Sequence, residues 1–302
     1  MIYGFENDKF YVEYTSCSRK SHDLKTESEI RAQELYSRSK KIILCLSSGL
    51  ESQIALHSFK TQDIPIECVF FRLGGYNEHE YTNLQILEKK YNFKSQIIYL
   101  DPNTCKEELF DLSKQFDAHV NHCLQYKLVE QLPEDYMVLQ SIQDPWYVVD
   151  NKTNKPYVTH SYYDADIARL RTLQRIKRSA EITNFGYNDN LWLSSISDPL
   201  VEQFFTSWKF YDNNLRLDGQ PLRDVYKFDY YIKPVLYSKH WGDQLEYFPK
   251  SIGIEKIDWI YNELKNLKPK NTVVIPWKEL VDLLSNDVPI TKRYYQKDNK
   301  TI

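Results

Sequence analysis

The sequence predicts an α/β protein whose core is a doubly wound, mainly parallel sheet. Short, continuous apolar runs recur along residues 41–150, as expected for strands that are buried on both faces of a parallel sheet. Helical segments and short connections separate these runs, which is typical of βαβ units. The 302-residue chain has the composition of a globular protein, with 42% hydrophobic and 27% charged residues.

Residues 1–40 precede this pattern and are predicted to form an N-terminal extension. Residues 2–14 favour a hairpin that turns at Asn7-Asp8. Thr26 and Glu29 have the spacing of a capping box, which predicts a polar helix that opens there and ends near Ser39.

The core, residues 41–150, is predicted to contain four strands and three intervening helices. The strands are expected at residues 42–46, 66–71, 96–100 and 137–140. The helices are expected at residues 52–60, 78–91 and 124–132. Ligands of such sheets bind outside the carboxyl ends of the strands, so functional residues are expected in the loops that follow them.

Residues 151–302 are predicted to form a mostly helical portion that packs on the sheet and completes the substrate site. Two sets of apolar residues have helical spacing, namely Ile257, Ile260, Tyr261 and Leu264, and Trp277, Leu280, Val281 and Leu284.

Charge and cysteine content exclude several classes of protein. The 39 basic and 42 acidic residues give a net charge of -3, which argues against a dedicated non-specific binder of nucleic acid. No apolar run approaches the roughly 20 residues that span a bilayer, and the first residues do not have the pattern of a secretory signal. The cysteines form no CxxC pair, so we expect a reduced, cytoplasmic chain: Cys17, Cys45, Cys68, Cys105 and Cys123.

The most informative segment is the loop Ser47-Ser-Gly-Leu-Glu-Ser52, between a predicted strand and a predicted helix. Backbone N–H groups at the start of a helix bind anions, and Gly49 lets the backbone approach an anion closely. Ser47 and Ser52 add hydroxyl donors, and Glu51 adds a carboxylate that could hold magnesium beside a phosphate. The alternative is an ordinary turn with capping serines.

This loop resembles the Ser-Gly-Gly-x-Asp-Ser loop of the N-type ATP pyrophosphatases, which include asparagine synthetase, GMP synthetase and several tRNA-modifying enzymes. The resemblance implies an adenine nucleotide alpha hydrolase-like fold that takes ATP and Mg²⁺. The residues implied to hold the pyrophosphate are Ser47, Ser48, Gly49, Leu50, Glu51 and Ser52. Ser48 replaces a family glycine and Glu51 replaces the family aspartate, which puts turnover in question.

The resemblance also implies roles for residues outside the loop. Family members recognise adenine through the backbone at the end of the second strand, here Phe71, Arg72 and Leu73. Asp144 corresponds to a magnesium-binding carboxylate, and Lys239 to a lysine that reaches the ATP phosphates as the catalytic cation. For each position the alternative is structural: a solvated strand end, a turn and a surface lysine.

Two further clusters have both a functional and a structural interpretation. Arg171, Arg175 and Arg178 share one helix face, which could bind an acidic substrate or tRNA but is also typical of a solvated face. The cluster of His119, His122 and Cys123 lacks a second pair of ligands, which favours a structural role over a metal site.

The expected function is that of an asparagine synthetase-like ligase. A substrate carboxylate or carbonyl oxygen would be adenylated with release of pyrophosphate, and ammonia or an amine would then displace AMP. Position 2 is Ile2, where glutamine-dependent synthetases have a nucleophilic cysteine, so the nitrogen would come from free ammonia, a donor amine or a separate glutaminase subunit. The alternatives are tRNA or nucleobase thiolation by the same adenylation, and an ATP-binding protein that has lost turnover.

Overall fold

The computed structural model describes residues 2–6, 9–14, 17, 19–140, 146–150, 156–160, 182–185, 188–206, 222–224, 233–248, 256–265, 273–285 and 291–294. The strands are β1 Ile2–Glu6, β2 Lys9–Tyr14, β3 Ile42–Cys45, β4 Glu67–Arg72, β5 Ser95–Tyr99, β6 Met137–Gln140, β7 Trp146–Asp150, β8 Pro156–His160, β9 Ile182–Asn184, β10 Leu222–Asp224, β11 Val273–Pro276 and β12 Thr291–Tyr294. The helices are α1 Leu24–Arg38, α2 Leu50–Lys60, α3 Glu78–Tyr91, α4 Lys106–Phe116, α5 Val120–Glu130, α6 Asp189–Ile196, α7 Pro199–Thr206, α8 Lys233–Trp241, α9 Asp258–Lys265 and α10 Trp277–Ser285.

The central sheet has five parallel strands in the order β5-β4-β3-β6-β9, which confirms the predicted α/β class with a parallel sheet. The chain builds outward from β3 to β5 and then returns to the other side of β3 at β6. The strand order therefore reverses between β3 and β6. The loops that follow these two strands flank the crevice where sheets of this kind bind ligands.

Helices cover both faces of this sheet because alternate residues of each strand point to opposite faces. Ile42 and Leu44 belong to the larger cluster of buried residues, together with apolar residues of α1, α2 and α3. Ile43 and Val138 belong to a second cluster, which includes Val129 from α5. This two-sided burial explains why the strand sequences are continuously apolar.

The N-terminal hairpin is confirmed, because β1 and β2 pair with Glu6 opposite Lys9. Its second strand also pairs with β12 from the C-terminal end of the chain, which the sequence did not predict. Helix α1 ends next to Ser39 as predicted but begins earlier than the capping box indicated. Its N-cap is Asp23, whose side chain accepts from the backbone N–H groups of Lys25 and Thr26.

The four-stranded sheet β10-β7-β8-β11 is antiparallel and was not predicted. Strand β7 lies before residue 150 and β8 after it, so this sheet runs across the predicted boundary between the core and the C-terminal portion. Helices α9 and α10 confirm the two predicted helical patterns, and Ile257, Ile260, Leu280 and Leu284 are buried.

Candidate functional site

The loop after β3 has the strand, bend and helix context that the sequence predicts. Strand β3 ends at Cys45, and α2 begins after Gly49, which is its N-cap. The Ser52 hydroxyl lies 2.6 Å from the Ser47 carbonyl oxygen and 2.9 Å from both the Gly49 carbonyl oxygen and the Ser47 hydroxyl. The Ser47 hydroxyl accepts from the backbone N–H of Gly49 at 3.2 Å. These contacts hold the bend together beside the point where the strand order reverses.

The glycine of the bend has an ordinary negative φ, and its missing Cβ leaves room for the Ser47 hydroxyl. Gly49 has a φ of -69°, and a Cβ added there would lie 3.2 Å from the Ser47 hydroxyl oxygen. Ser48 does not have a positive φ either, so its Cβ causes no backbone strain of that kind. The Ser48 side chain is buried and lies 3.4 Å from the amide nitrogen of Asn83 on α3.

The carboxylate of the bend pairs with a lysine from the distant helix α8. Glu51 forms an ion pair with Lys233, the first residue of α8, and both side chains are largely buried. Gln53 lies one turn into α2, is fully buried, and connects the loop to the segment that follows α8. Its amide donates to the Ser48 carbonyl at 3.1 Å and to the Glu246 carbonyl at 2.8 Å, and its oxygen accepts from the Glu246 N–H at 2.8 Å.

Lys239, the lysine assigned to the phosphates from the sequence, makes a different contact. Its ammonium lies 2.8 Å from a carboxylate oxygen of Asp198, which also lies 3.2 Å from the ring of His240. Burial raises the pKa of Asp198, but the hydrogen bonds from Lys239, the Leu200 backbone and His240 outweigh it and hold that pKa below its ordinary value. The structure therefore brings Lys233, not Lys239, to the loop.

Helix geometry explains this difference between the two lysines. They are six residues apart, which corresponds to about 9 Å along α8 and a rotation of roughly 240°, so they lie on different faces. The signal that could have identified Lys233 is its position at the start of the helix, immediately before Pro234, a residue favoured in the first helical turn.

The end of β4, where the sequence predicts adenine recognition, is already engaged by side chains. The amide of Asn77 accepts from the Leu73 N–H at 2.8 Å and donates to the Phe71 carbonyl at 2.8 Å. Arg72 forms two hydrogen bonds with Glu78, at 2.6 and 2.8 Å, and lies over the ring of Tyr81. The backbone of Phe71 and Leu73 and the guanidinium of Arg72 thus have partners within α3 and the turn before it.

The remaining predicted residues divide into two groups. Asp144 and the arginines Arg171, Arg175 and Arg178 lie outside the described residues. His119 is the N-cap of α5, where its ring accepts from the Asn121 N–H at 3.1 Å, which supports the structural interpretation of its cluster. Among the residues that the structure describes, no group of three or more His, Cys, Asp or Glu side chains could hold a metal ion.

No family model matches the chain, and no curated protein matches it significantly. Within the described part of the chain, no helix is both long and apolar enough to cross a membrane.

Proposed function

We propose that this chain is an ATP pyrophosphatase-type ligase of the asparagine synthetase kind, with an adenine nucleotide alpha hydrolase-like fold. The oxygen of a substrate carboxylate or carbonyl attacks the α-phosphorus of ATP, and the bond from that phosphorus to the departing pyrophosphate breaks. Ammonia or an amine then attacks the activated carbon, forms a carbon–nitrogen bond, and releases AMP and a proton.

One observation carries the proposal: the bend Ser47–Ser52 and the ammonium of Lys233 converge beside the reversal of strand order between β3 and β6. The bend offers the backbone N–H groups at the start of α2, and the lysine offers a positive charge. This is the combination that a pyrophosphate group requires, since it carries several negative charges on oxygen acceptors.

Lys233 takes the role that the sequence assigned to Lys239. An ammonium close to the bend stabilises the negative charge that develops as pyrophosphate leaves, which needs correct positioning more than an altered pKa. Lys233 is held in position by its ion pair with Glu51. Binding of ATP would exchange that carboxylate for phosphate oxygens.

The proposal includes a magnesium ion of the type that one or two carboxylates and the substrate phosphates hold together. Glu51 supplies one carboxylate at the bend, and Asp144, outside the described residues, would supply the second. The ion would neutralise phosphate charge. Glu51 would bind the ion only after Lys233 has moved from Glu51 to the phosphates. Binding of the ion and movement of the lysine would therefore occur together.

The direct test is to incubate the protein with ATP, Mg²⁺ and a panel of carboxylic acids, with ammonium present, and to measure pyrophosphate and AMP. The proposal predicts equal amounts of the two products and loss of both when EDTA removes the metal. Formation of ADP and phosphate instead would contradict it. Glu51→Gln is expected to lower product formation, and Glu51→Asp, which restores the family residue, to retain or raise it.

A second candidate is a nucleotide-binding protein without turnover, favoured by the mutual neutralisation of Glu51 and Lys233. In this candidate, the Glu51–Lys233 pair stabilises the fold, and the differences from the Ser-Gly-Gly-x-Asp-Ser pattern at Ser48 and Glu51 have removed turnover. ATP binding without pyrophosphate release, unchanged in the double variant Ser48→Gly, Glu51→Asp, would support this candidate over the ligase. Thiolation of RNA receives no specific support from the described residues.

A further inference from the structure

The side chain of Asn77 has an unusual orientation for its position. Asn77 is the N-cap of α3, where an asparagine side chain ordinarily accepts a hydrogen bond from the first turn of its own helix. Here it makes no such capping bond. Its amide is directed back to β4, where it accepts from the Leu73 N–H and donates to the Phe71 carbonyl, both at 2.8 Å.

The contact with Glu80 determines which way the amide faces. The Asn77 nitrogen also donates to a carboxylate oxygen of Glu80 at 3.3 Å. Both hydrogens of the amide nitrogen thus have acceptors, and its oxygen has a donor. The reverse orientation would set the amide oxygen against a carbonyl and a carboxylate, so only one orientation satisfies all these partners. Asn77 is buried, with 3% of its surface exposed.

The two backbone groups that Asn77 occupies match one edge of adenine. Adenine has a donor, the N6 amino group, beside an acceptor, N1, with one carbon between them. A carboxamide has the same arrangement of donor, carbon and acceptor. The Phe71 carbonyl and the Leu73 N–H, two residues apart on one strand end, would accept from N6 and donate to N1. The amide of Asn77 therefore satisfies the groups that would recognise the base.

We propose that Asn77 is a gate on the base-binding end of the nucleotide site. Its amide occupies the Phe71 carbonyl and the Leu73 N–H in this structure. When an adenine nucleotide binds, the base takes these hydrogen bonds, and the Asn77 side chain rotates to cap the first turn of α3. The capping bonds partly offset those that are lost, so the exchange costs little. The inference rests on the proposed nucleotide function.

The gate lowers the affinity of the unaltered protein, because only the open fraction binds the base. Asn77→Ala removes the competing amide and is expected to tighten binding of MgATP by about fivefold to tenfold. Asn77→Asp keeps a good helix cap but sets a carboxylate against the Phe71 carbonyl and Glu80, so it is expected to tighten binding as well. GTP is expected to gain nothing, since guanine in the same pose has an acceptor and a donor in exchanged positions.

The experiment is titration calorimetry of the full chain with MgATP and MgGTP, with thermal unfolding as the check on folding. Asn103→Ala is the matched control, because this amide lies at the same edge of the sheet but contacts Tyr76 and Trp259 instead of β4. ATP-specific tightening in both Asn77 variants, and not in the control, supports the gate. Should the Ala variant not fold, the Asp variant decides by itself.

Two negative outcomes can be told apart. If the unaltered protein binds ATP and the folded Asn77 variants bind it equally or more weakly, the gate is wrong while the nucleotide site stands. If neither the unaltered protein nor any variant binds ATP at millimolar concentration, the nucleotide site is wrong and the gate falls with it.

Discussion

Replacing Gln53 by leucine tests whether the loop and the segment after α8 form one unit. Leucine has a similar volume, so the change removes three hydrogen bonds with little change in packing. The Ser48 carbonyl, which is buried, would lose a donor, at a cost of about 2 kcal/mol. The N–H and carbonyl of Glu246 are partly exposed and can turn to water, at about 0.5 kcal/mol each. The free energy of unfolding should therefore fall by about 3 kcal/mol.

Two measurements check this value. Denaturant unfolding gives the free energy directly, and the melting temperature should fall by about 5 °C, from the entropy of unfolding typical of a chain of this length. Hydrogen exchange adds a local readout, because the Glu246 amide proton should lose its protection. The control is Gln33→Leu: Gln33 is exposed and its amide donates to Gln62, so the cost should stay below about 0.5 kcal/mol. A loss under about 1 kcal/mol for Gln53→Leu, with the Glu246 amide still protected, would show that Gln53 does not join the loop to the segment after α8.

Three further predictions follow from the site and its surroundings. Lys233→Gln should lower pyrophosphate release by roughly a hundredfold, while Lys239→Gln should change it less than threefold; equal losses would remove the distinction between the two lysines. Gly49→Ala should weaken ATP binding by about tenfold with little loss of stability, because the new Cβ displaces the Ser47 hydroxyl. Calorimetry measures the binding and a melting curve measures the stability. Burial lowers the pKa of His57 from 6.5 to about 4, so the unfolded state binds the proton at higher pH than the folded state does. The free energy of unfolding should therefore decrease as the pH is lowered from 6.5 to 4. His57→Gln should flatten this part of a plot of stability against pH, and an unchanged slope would contradict the assignment.

The strands and helices of the core were predictable because burial imposes a local pattern on the sequence. Residues 137–140 form a strand and residues 78–91 a helix with the predicted bounds. The start of α1 was not predicted, because Asp23 and Thr26 are both good caps and only the path of the chain before the helix selects between them. Helix α4 and the antiparallel sheet were missed as well, since their short segments acquire stability from neighbours far along the chain.

The candidate site divides in the same way. The bend was predictable from local sequence, because a buried strand, a glycine with two serines and a helix start are contiguous and leave the backbone few alternatives. The folded chain was needed to show that Lys233 reaches Glu51 while Lys239 pairs with Asp198, and that Asn77 is directed to β4 and not to its own helix. The lysine contacts depend on how elements pack across long separations in the chain, whereas Asn77 contacts backbone groups only four and six residues before it. Local spacing shows which residues share a strand or a helix, but the partner of a side chain is chosen by the packing of those elements against each other.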